Sequence, residues 1–458
     1  MRCIAIIALL SSCSGGGDDD KKPGNRDTAP TITTTSGTDA IQFVGEVPKN
    51  LIFISIDTFR KDHMGFHGDK SLTPFFDQIA AEGVVLNNHH QCSNWTFGST
   101  TCTLAGRYNI ERGHIPRLNG NANNRPPVPE GTPFLATWLG EADFFSVVIS
   151  ANDWLSDNWG NTQGYDAEAR PGGNALKVRE KAVEITSQAM ATGLYDRWFM
   201  HMHHMEPHAS YSPDESFIVG LEDLEPWPDN LSNRNVHYGH RDDWQSMDPA
   251  DQILLEAHLR VLYEAEIRTV DNRIGQNWQA LDEAGWLDDT LVVIWNDHGE
   301  QFWEHGSQTH AYELYGEEND GFAVFWSKNM VPGVYEGPTS SIDLVPTLLD
   351  LFDLPIPEEV TGIPVGSAPP ERPIFMEALA RKGGVQAIVK DGYKLHYRWA
   401  GFAEMYDRTT DPEEKNDLFD PADPKVLELW GLLRPMVDAM APLVVNGTPS
   451  PTIPEGLP

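Results

Sequence analysis

The chain has 458 residues, enough to bury one large core or a large and a small one. Its 68 Asp and Glu against 33 Lys and Arg give a formal net charge of -35, which opposes counterion release from a phosphate backbone and excludes nucleic acid as a partner. The same charge repels a polyanionic ligand unless the cleft that binds it is locally positive.

The N-terminus reads as an export leader. Met1-Arg2 precedes an apolar run from Ile4 to Leu10 that is too short to span a bilayer. The segment Leu10-Ser11-Ser12-Cys13 is similar to the lipobox of bacterial lipoproteins. That resemblance implies a signal peptide over 1–13, a lipid on Cys13, and an exported protein attached to the cell envelope. Residues 14–47, rich in Gly, Asp, Thr and Pro, read as a tether that cannot fold alone. With Cys3 and Cys13 assigned to the leader, Cys92 and Cys102 are either paired or free and buried.

A main α/β domain is expected over 48–372. Residues 50–56, Asn-Leu-Ile-Phe-Ile-Ser-Ile, form a continuous apolar run ending at Asp57, as in a strand buried on both faces of a parallel sheet. A strand-like Phe144–Ile149 follows, then a stretch over 254–284 with apolar residues at helical spacing. The run Leu291–Trp295 ends at Asn296-Asp297-His298-Gly299. This alternation predicts a doubly wound, mostly parallel sheet, whose ligands bind at strand carboxyl ends. From 373 to 441 the pattern changes to strand-like Gln386–Lys390 and Lys394–Arg398 around an Asp391-Gly392 turn, closed by a helix at 424–440. This predicts a small antiparallel α+β subdomain, followed over 442–458 by a Pro-rich tail that frays or wraps.

Asp57, Asp297 and His298 make a plausible metal set if the two strand ends meet, since carboxylates and imidazole can share one divalent ion. The segments NLIFISIDTFRKDHMGFHG (50–68), HMHHMEPHASY (201–211), Asn296–Trp326, Ser341–Leu354 and Ala387–Leu418 resemble, in order, those of the sulfatase-like hydrolases of the alkaline phosphatase superfamily. The resemblance spans roughly 49–440 and implies an alkaline phosphatase-like fold, a divalent metal, with calcium first and zinc or manganese as alternatives, and hydrolysis of sulfate or related anionic esters. The implied partner is a sulfated or phosphorylated small molecule or glycan.

The nucleophile segment departs from the family pattern. Counting back from Ala105-Gly106-Arg107-Tyr108, similar to the family's turn, places Thr96 where Cys or Ser of Cys/Ser-x-Pro-Ser-Arg would stand, so formylglycine is not expected. Thr96 resembles the nucleophile of the nucleotide pyrophosphatase/phosphodiesterases, which adds it to the metal set. The second Asp of the family's metal loop is Thr58, the motif Arg is Thr100, and Ser150–Trp154 replaces a cationic segment. His208 and His310 remain to hold or protonate the substrate. His305 is a weaker candidate, the run His201, His203 and His204 reads partly as strand packing, and Arg60 and Lys61 as scaffold or surface. Three readings follow: a sulfate-ester hydrolase, a phosphodiesterase or phosphonate ester hydrolase using Thr96, and a surface lipoprotein that binds a glycan without turnover. The insertion 212–250 has no pattern that assigns it a role.

Overall fold

The structure is a computed structural model that describes residues 35–68, 71–113, 127–172, 174–380, 384–440 and 451–458. The leader, Cys13 and residues 14–34 of the expected tether lie outside them. Strand Asn50–Ile56 is buried at every position. Ile52, Ile54 and Ile56 pack into one apolar layer, and Leu51 and Phe53 into the opposite one. Such a strand has no polar face, which is why its sequence is continuously apolar rather than alternating. Helices Pro74–Glu82, Ala175–Met190 and Pro249–Glu283 cover the first face, and Leu135–Gly140 and Leu344–Leu351 the second. The doubly wound expectation therefore holds.

The large sheet has nine strands and runs Gly333–Tyr335, Val84–His90, Asp320–Trp326, Thr290–Asn296, Asn50–Ile56, Arg197–His204, Phe144–Ser150, Ala167–Ala169, with Thr339–Ser340 also on Val84–His90. Only Asp320–Trp326 runs antiparallel to its neighbours. Asn50–Ile56 lies between Arg197–His204 and Thr290–Asn296, parallel to both, with Ile56 opposite His204 and Asn296. Residues 57 and 297 thus leave the sheet side by side at its carboxyl edge.

A second, four-stranded antiparallel sheet contains Ile374–Ala378, Val385–Lys390, Tyr393–Arg398 and Phe402–Asp407, and helix Pro424–Met440 packs on it. Asp391 and Gly392 both have positive φ, as the two-residue hairpin requires. This small subdomain buries Phe375, Leu379 and Trp399 against Cys92, Cys102, Tyr108 and Ile110 of the main domain. Cys92 and Cys102 form a disulfide. The tail residues 451–458 wrap rather than fray, for Tyr397 Oη donates to the Thr452 carbonyl at 2.9 Å and Trp430 Nε1 to the Pro458 carbonyl at 3.0 Å.

The tether expectation is corrected at its C-terminal end. Thr35–Gly37 and Gln42–Val44 pair as a hairpin, and Ile41 and Phe43 are wholly buried beside Leu51, Phe53 and Met330. Two apolar side chains at alternate positions suffice to seat an otherwise polar segment.

Glu377 joins the two units. Buried in strand Ile374–Ala378, it accepts hydrogen bonds from the Asn109 and Ile110 amides at 2.8 and 3.3 Å. Burial pushes its carboxyl from 4.5 up to about 7, although those hydrogen bonds pull the other way. A raised folded-state value means that this group's contribution is fully present below about 4.5 and is lost as pH rises through about 7. Between pH 5 and pH 8 the wild type should therefore lose about 1 kcal/mol or more relative to Glu377→Gln, measured by urea unfolding at both pH values.

Candidate active site

Asp57, Asp297 and His298 are each wholly buried. His298 Nε2 lies 3.5 Å from Asp57 Oδ1 and 3.6 Å from Asp297 Oδ2. None of these three atoms has a hydrogen-bond partner. Because burial of an uncompensated carboxylate costs several kcal/mol, three converging orphan ligand atoms fit a divalent cation better than they fit a structural polar cluster. The electrostatics agree. Burial and then the Asp57 charge push the Asp297 carboxyl well above its ordinary range, while Asp57, despite burial, is held far below it, chiefly by His208 and by a hydrogen bond from His203. Burial followed by the neighbouring His310 lowers His298 strongly, so its ring is neutral, as a ligand must be.

Thr58 stands where a second loop carboxylate was expected. Its φ of 52° is unusual for a β-branched residue, and this turn brings its amide to donate to Asp297 Oδ1 at 3.3 Å. The loop at 57–58 thus holds one carboxylate by supplying an N–H instead of a second charge.

Thr96 is the first residue of helix Thr96–Ala105, with Trp95 as an extended N-cap. Its Oγ1 lies 3.4 Å from Asp57 Oδ2, on the opposite oxygen from the one that meets His298. The start of a helix turns its first N–H groups and the positive end of its dipole outward, an arrangement that suits an anion. Gly98 lets Trp95 and Ser93 pack against this first turn, for a Cβ there would come within 2.6 Å of both Trp95 Nε1 and Ser93 Oγ. Thr100, in place of the family's Arg, turns inward and donates to the Thr96 carbonyl at 2.6 Å.

Two contributors escaped the sequence reading. Asn152, just beyond strand Phe144–Ser150, donates through Nδ2 to Asp57 Oδ2 at 2.6 Å and to Thr96 Oγ1 at 3.2 Å, so it positions both. Its place at the carboxyl end of a central strand was the available signal. Glu300, wholly buried, accepts from Tyr211 Oη at 2.7 Å and pairs at 3.2 Å with His310 Nδ1. His310 sits in a strained turn, with Thr309 and Ala311 both at positive φ, and its ring lies 4.4 Å from His298 and 5.1 Å from His208. The structure thus brings together Asp57, Thr96, His208, Asp297, His298 and His310.

The histidine run divides by strand alternation. Ser55 Oγ bridges His201 Nε2 at 2.9 Å and His203 Nδ1 at 2.8 Å, and Tyr165 Oη meets His201 Nδ1 at 2.9 Å. His203 Nε2 then points to Asp57 Oδ2 at 3.5 Å. This buried chain orients Asp57 from behind. His305 instead stacks on Tyr315 and pairs with Glu317. Arg60 is scaffold, buried between Asp62 and Glu304.

Thr96, Asn152, His208 and His310 open into one cavity of about 700 Å³. Trp95, Trp154 and Trp159 form part of its wall, with the last two rings 4.5 Å apart. Arg234, Tyr238 and Arg241 reach it from the 212–250 insertion.

The Sulfatase family model matches residues 49–354. The chain belongs to the sulfatase family. Among curated relatives it is 25% identical to the uncharacterized sulfatase YidJ of Escherichia coli over 81% of this chain and 83% of that one. It is 21% identical to the N-acetylglucosamine-6-O-sulfatase of Bacteroides thetaiotaomicron over 84% and 85%. Among solved structures, BT4656 in complex with its substrate D-glucosamine-2-N,6-O-disulfate superposes with a TM-score of 0.68 at 18% identity, covering 86% of this chain and 98% of that one. The phosphonate monoester hydrolase SpPMH of Silicibacter pomeroyi gives 0.62 at 20% identity, covering 87% and 96%. Membership in this family makes sulfate-ester hydrolysis the general activity class and a divalent metal the usual cofactor, and Asp57, Asp297 and His298 are grouped closely enough that they could hold one.

If these residues hold a cation, chelation should lower the melting temperature by several degrees and re-addition should restore it, because ligand that binds only the folded state stabilises it. Asp297→Asn and His298→Ala should each cut bound metal at least tenfold, read by elemental analysis of the purified protein.

Proposed function

We propose that this sulfatase-family protein hydrolyses a sulfate ester with Thr96, rather than formylglycine, as nucleophile. The observation that carries the reading is the position of Thr96 Oγ1, at a helix N-terminus and within 3.4 Å of a carboxylate of the candidate metal set. Asp57, Asp297, His298 and Thr96 would hold the cation, which when bound supplies positive charge for the ester's anionic oxygens and favours the ionised Thr96 hydroxyl. Thr96 Oγ, its proton given up to solvent, forms a bond to sulfur as the bond from sulfur to the leaving oxygen breaks. A water molecule then cleaves the Thr96 sulfate ester, releasing hydrogen sulfate and regenerating the hydroxyl. Asn152 keeps Thr96 aimed, His310, oriented by Glu300, protonates the leaving oxygen, and His208 holds the anion. Three oxygen donors suit calcium and the imidazole suits zinc or manganese, so metal content reads out which is native.

A phosphonate ester or phosphodiester is the second reading, favoured by the same threonine, since an unmodified hydroxyl is a competent nucleophile at phosphorus. The relative that acts on N-acetylglucosamine 6-O-sulfate supports a sulfated sugar as the natural substrate class. Export and a lipid on Cys13 complete the proposal. Among the described residues no helix is long and apolar enough to cross a membrane.

Purified, metal-analysed protein assayed on aryl sulfate, aryl phosphodiester and aryl phosphonate should turn over at least one ester, and Thr96→Ala should lose at least a thousandfold in kcat. Undiminished turnover in Thr96→Ala would assign the nucleophile elsewhere. No turnover with any ester, and no bound metal, would leave a glycan-binding lipoprotein.

A further inference from the structure

The cavity inverts the charge of the protein around it. On a chain with 68 acids and 33 bases, the cavity wall carries two arginines, Arg234 and Arg241, and one carboxylate, Asp153, which Arg170 already holds at 3.1 Å. Both arginines come from helix Arg234–Asp243, in the insertion whose sequence carries no recognisable motif. Arg234, Tyr238 and Arg241 stand at i, i+4 and i+7, which puts them on one face of that helix.

The two guanidinium groups are pre-set. Both stack on the single Tyr238 ring, with Arg234 5.4 Å and Arg241 4.8 Å from its centroid. Arg234 has no carboxylate partner among the described residues. Arg241 uses Nε and Nη2 on its exposed neighbour Asp242, a surface pair of little strength, and among the described residues Nη1 has no hydrogen-bond partner. The helix is fixed from behind by His237, which is buried, accepts from Gln308 Nε2 at 2.9 Å and packs edge-on against Tyr211 at 5.3 Å. Tyr211 in turn donates to Glu300, so the arginine face is registered to the catalytic floor. In the same cavity the indoles of Trp154 and Trp159 offer broad apolar faces suited to the C–H face of a pyranose.

We propose that Arg234 and Arg241 bind a second anionic substituent, a sulfate or a carboxylate, on a sugar ring whose first sulfate ester is presented to Thr96. The protein is thus selective for doubly charged sugars, which it captures despite its own net negative charge because the cavity focuses positive potential. This rests on the hydrolytic reading of the cavity, so binding and turnover must be read separately.

Glucose 2-sulfate, glucose 2,6-disulfate and glucuronic acid 2-sulfate share one ester and differ only at C6, and galactose 4-sulfate with its 4,6-disulfate repeats the comparison on another ring. Calorimetry with the metal-loaded wild type and with Thr96→Ala should show at least tenfold tighter binding of a doubly charged member than of its singly charged partner. The disulfate and uronate arms tell which anion fits. Arg234→Gln/Arg241→Gln should bring that ratio below about two, mainly by raising the dissociation constant of the doubly charged sugar, and 0.5 M salt should narrow the ratio in the wild type. Equal binding of singly and doubly charged sugars, or a ratio unaffected by the double substitution, would overturn the proposal, as would failure to bind any of the sugars. Discrimination in binding without turnover of any ester would leave this inference standing and remove the hydrolytic reading instead.

Discussion

Two carboxylates, Asp57 and Asp297, are buried next to each other, and the rest of the active site is arranged around that constraint. Parallel pairing of Asn50–Ile56 with Thr290–Asn296, with Ile56 opposite Asn296, leaves the chain no other place to put them. The Asp297 amide donates to the Ile56 carbonyl at 3.1 Å, so the pairing continues past the strand ends. Like charges so enclosed repel strongly, and one of them must be neutralised by a proton or by a cation. Neutral His298, the Thr58 amide and the Asn152 amide all converge on the pair without adding negative charge. A polar cluster evolved for packing alone would leave fewer atoms unpartnered.

The nucleophile helix depends on the small subdomain as much as on the main sheet. Helix Thr96–Ala105 is buried along its entire length. The Cys92–Cys102 disulfide ties its second turn to the segment before it, and Glu377 fixes the segment after it. Ser93 Oγ also donates to the Glu377 carbonyl at 2.7 Å. The antiparallel sheet therefore acts as a buttress that holds Thr96 against Asp57. A hydroxyl nucleophile gains most from such fixed orientation, because its reactivity relies on neighbours placed within fractions of an ångström.

Loss of the family's cations does not leave the cavity acidic. Thr100 and the segment Ser150–Trp154 stand where positive charges were expected, and their polar groups are used locally, Thr100 inside the helix and Asn152 between Asp57 and Thr96. Positive charge instead reaches the cavity from Arg234 and Arg241, on an element that the sequence alone left without a role. Chemistry and selectivity are thus carried by different parts of the chain. The strand ends supply the reacting groups, and the insertion supplies what surrounds them.

The buried strands were legible from sequence because burial on both faces demands an unbroken apolar run, and Asn50–Ile56, Thr290–Asn296 and the Asp391-Gly392 hairpin stand where such local rules put them. The metal candidates were legible because they end those runs, and the helix-first threonine because it precedes a recognisable turn. Asn152, Glu300 and the arginine face were not, since an amide, a carboxyl or a cation on a loop has no periodic pattern and acquires meaning only from what lies across the fold. Ile41 and Phe43 were lost in a polar segment for a similar reason, for two alternating apolar residues form a strap only when a groove is there to receive them. By itself the sequence determined the fully apolar central strands Asn50–Ile56, Phe144–Ser150 and Thr290–Asn296, the hairpin around Asp391-Gly392 and the residue types at their ends, because those follow from local periodicity and composition. Only the tertiary structure decided which oxygen of Asp57 meets His298 and which meets Thr96, that Cys92 reaches Cys102, and that two arginines face the cavity, because each of these depends on distances and side-chain directions that local periodicity does not set.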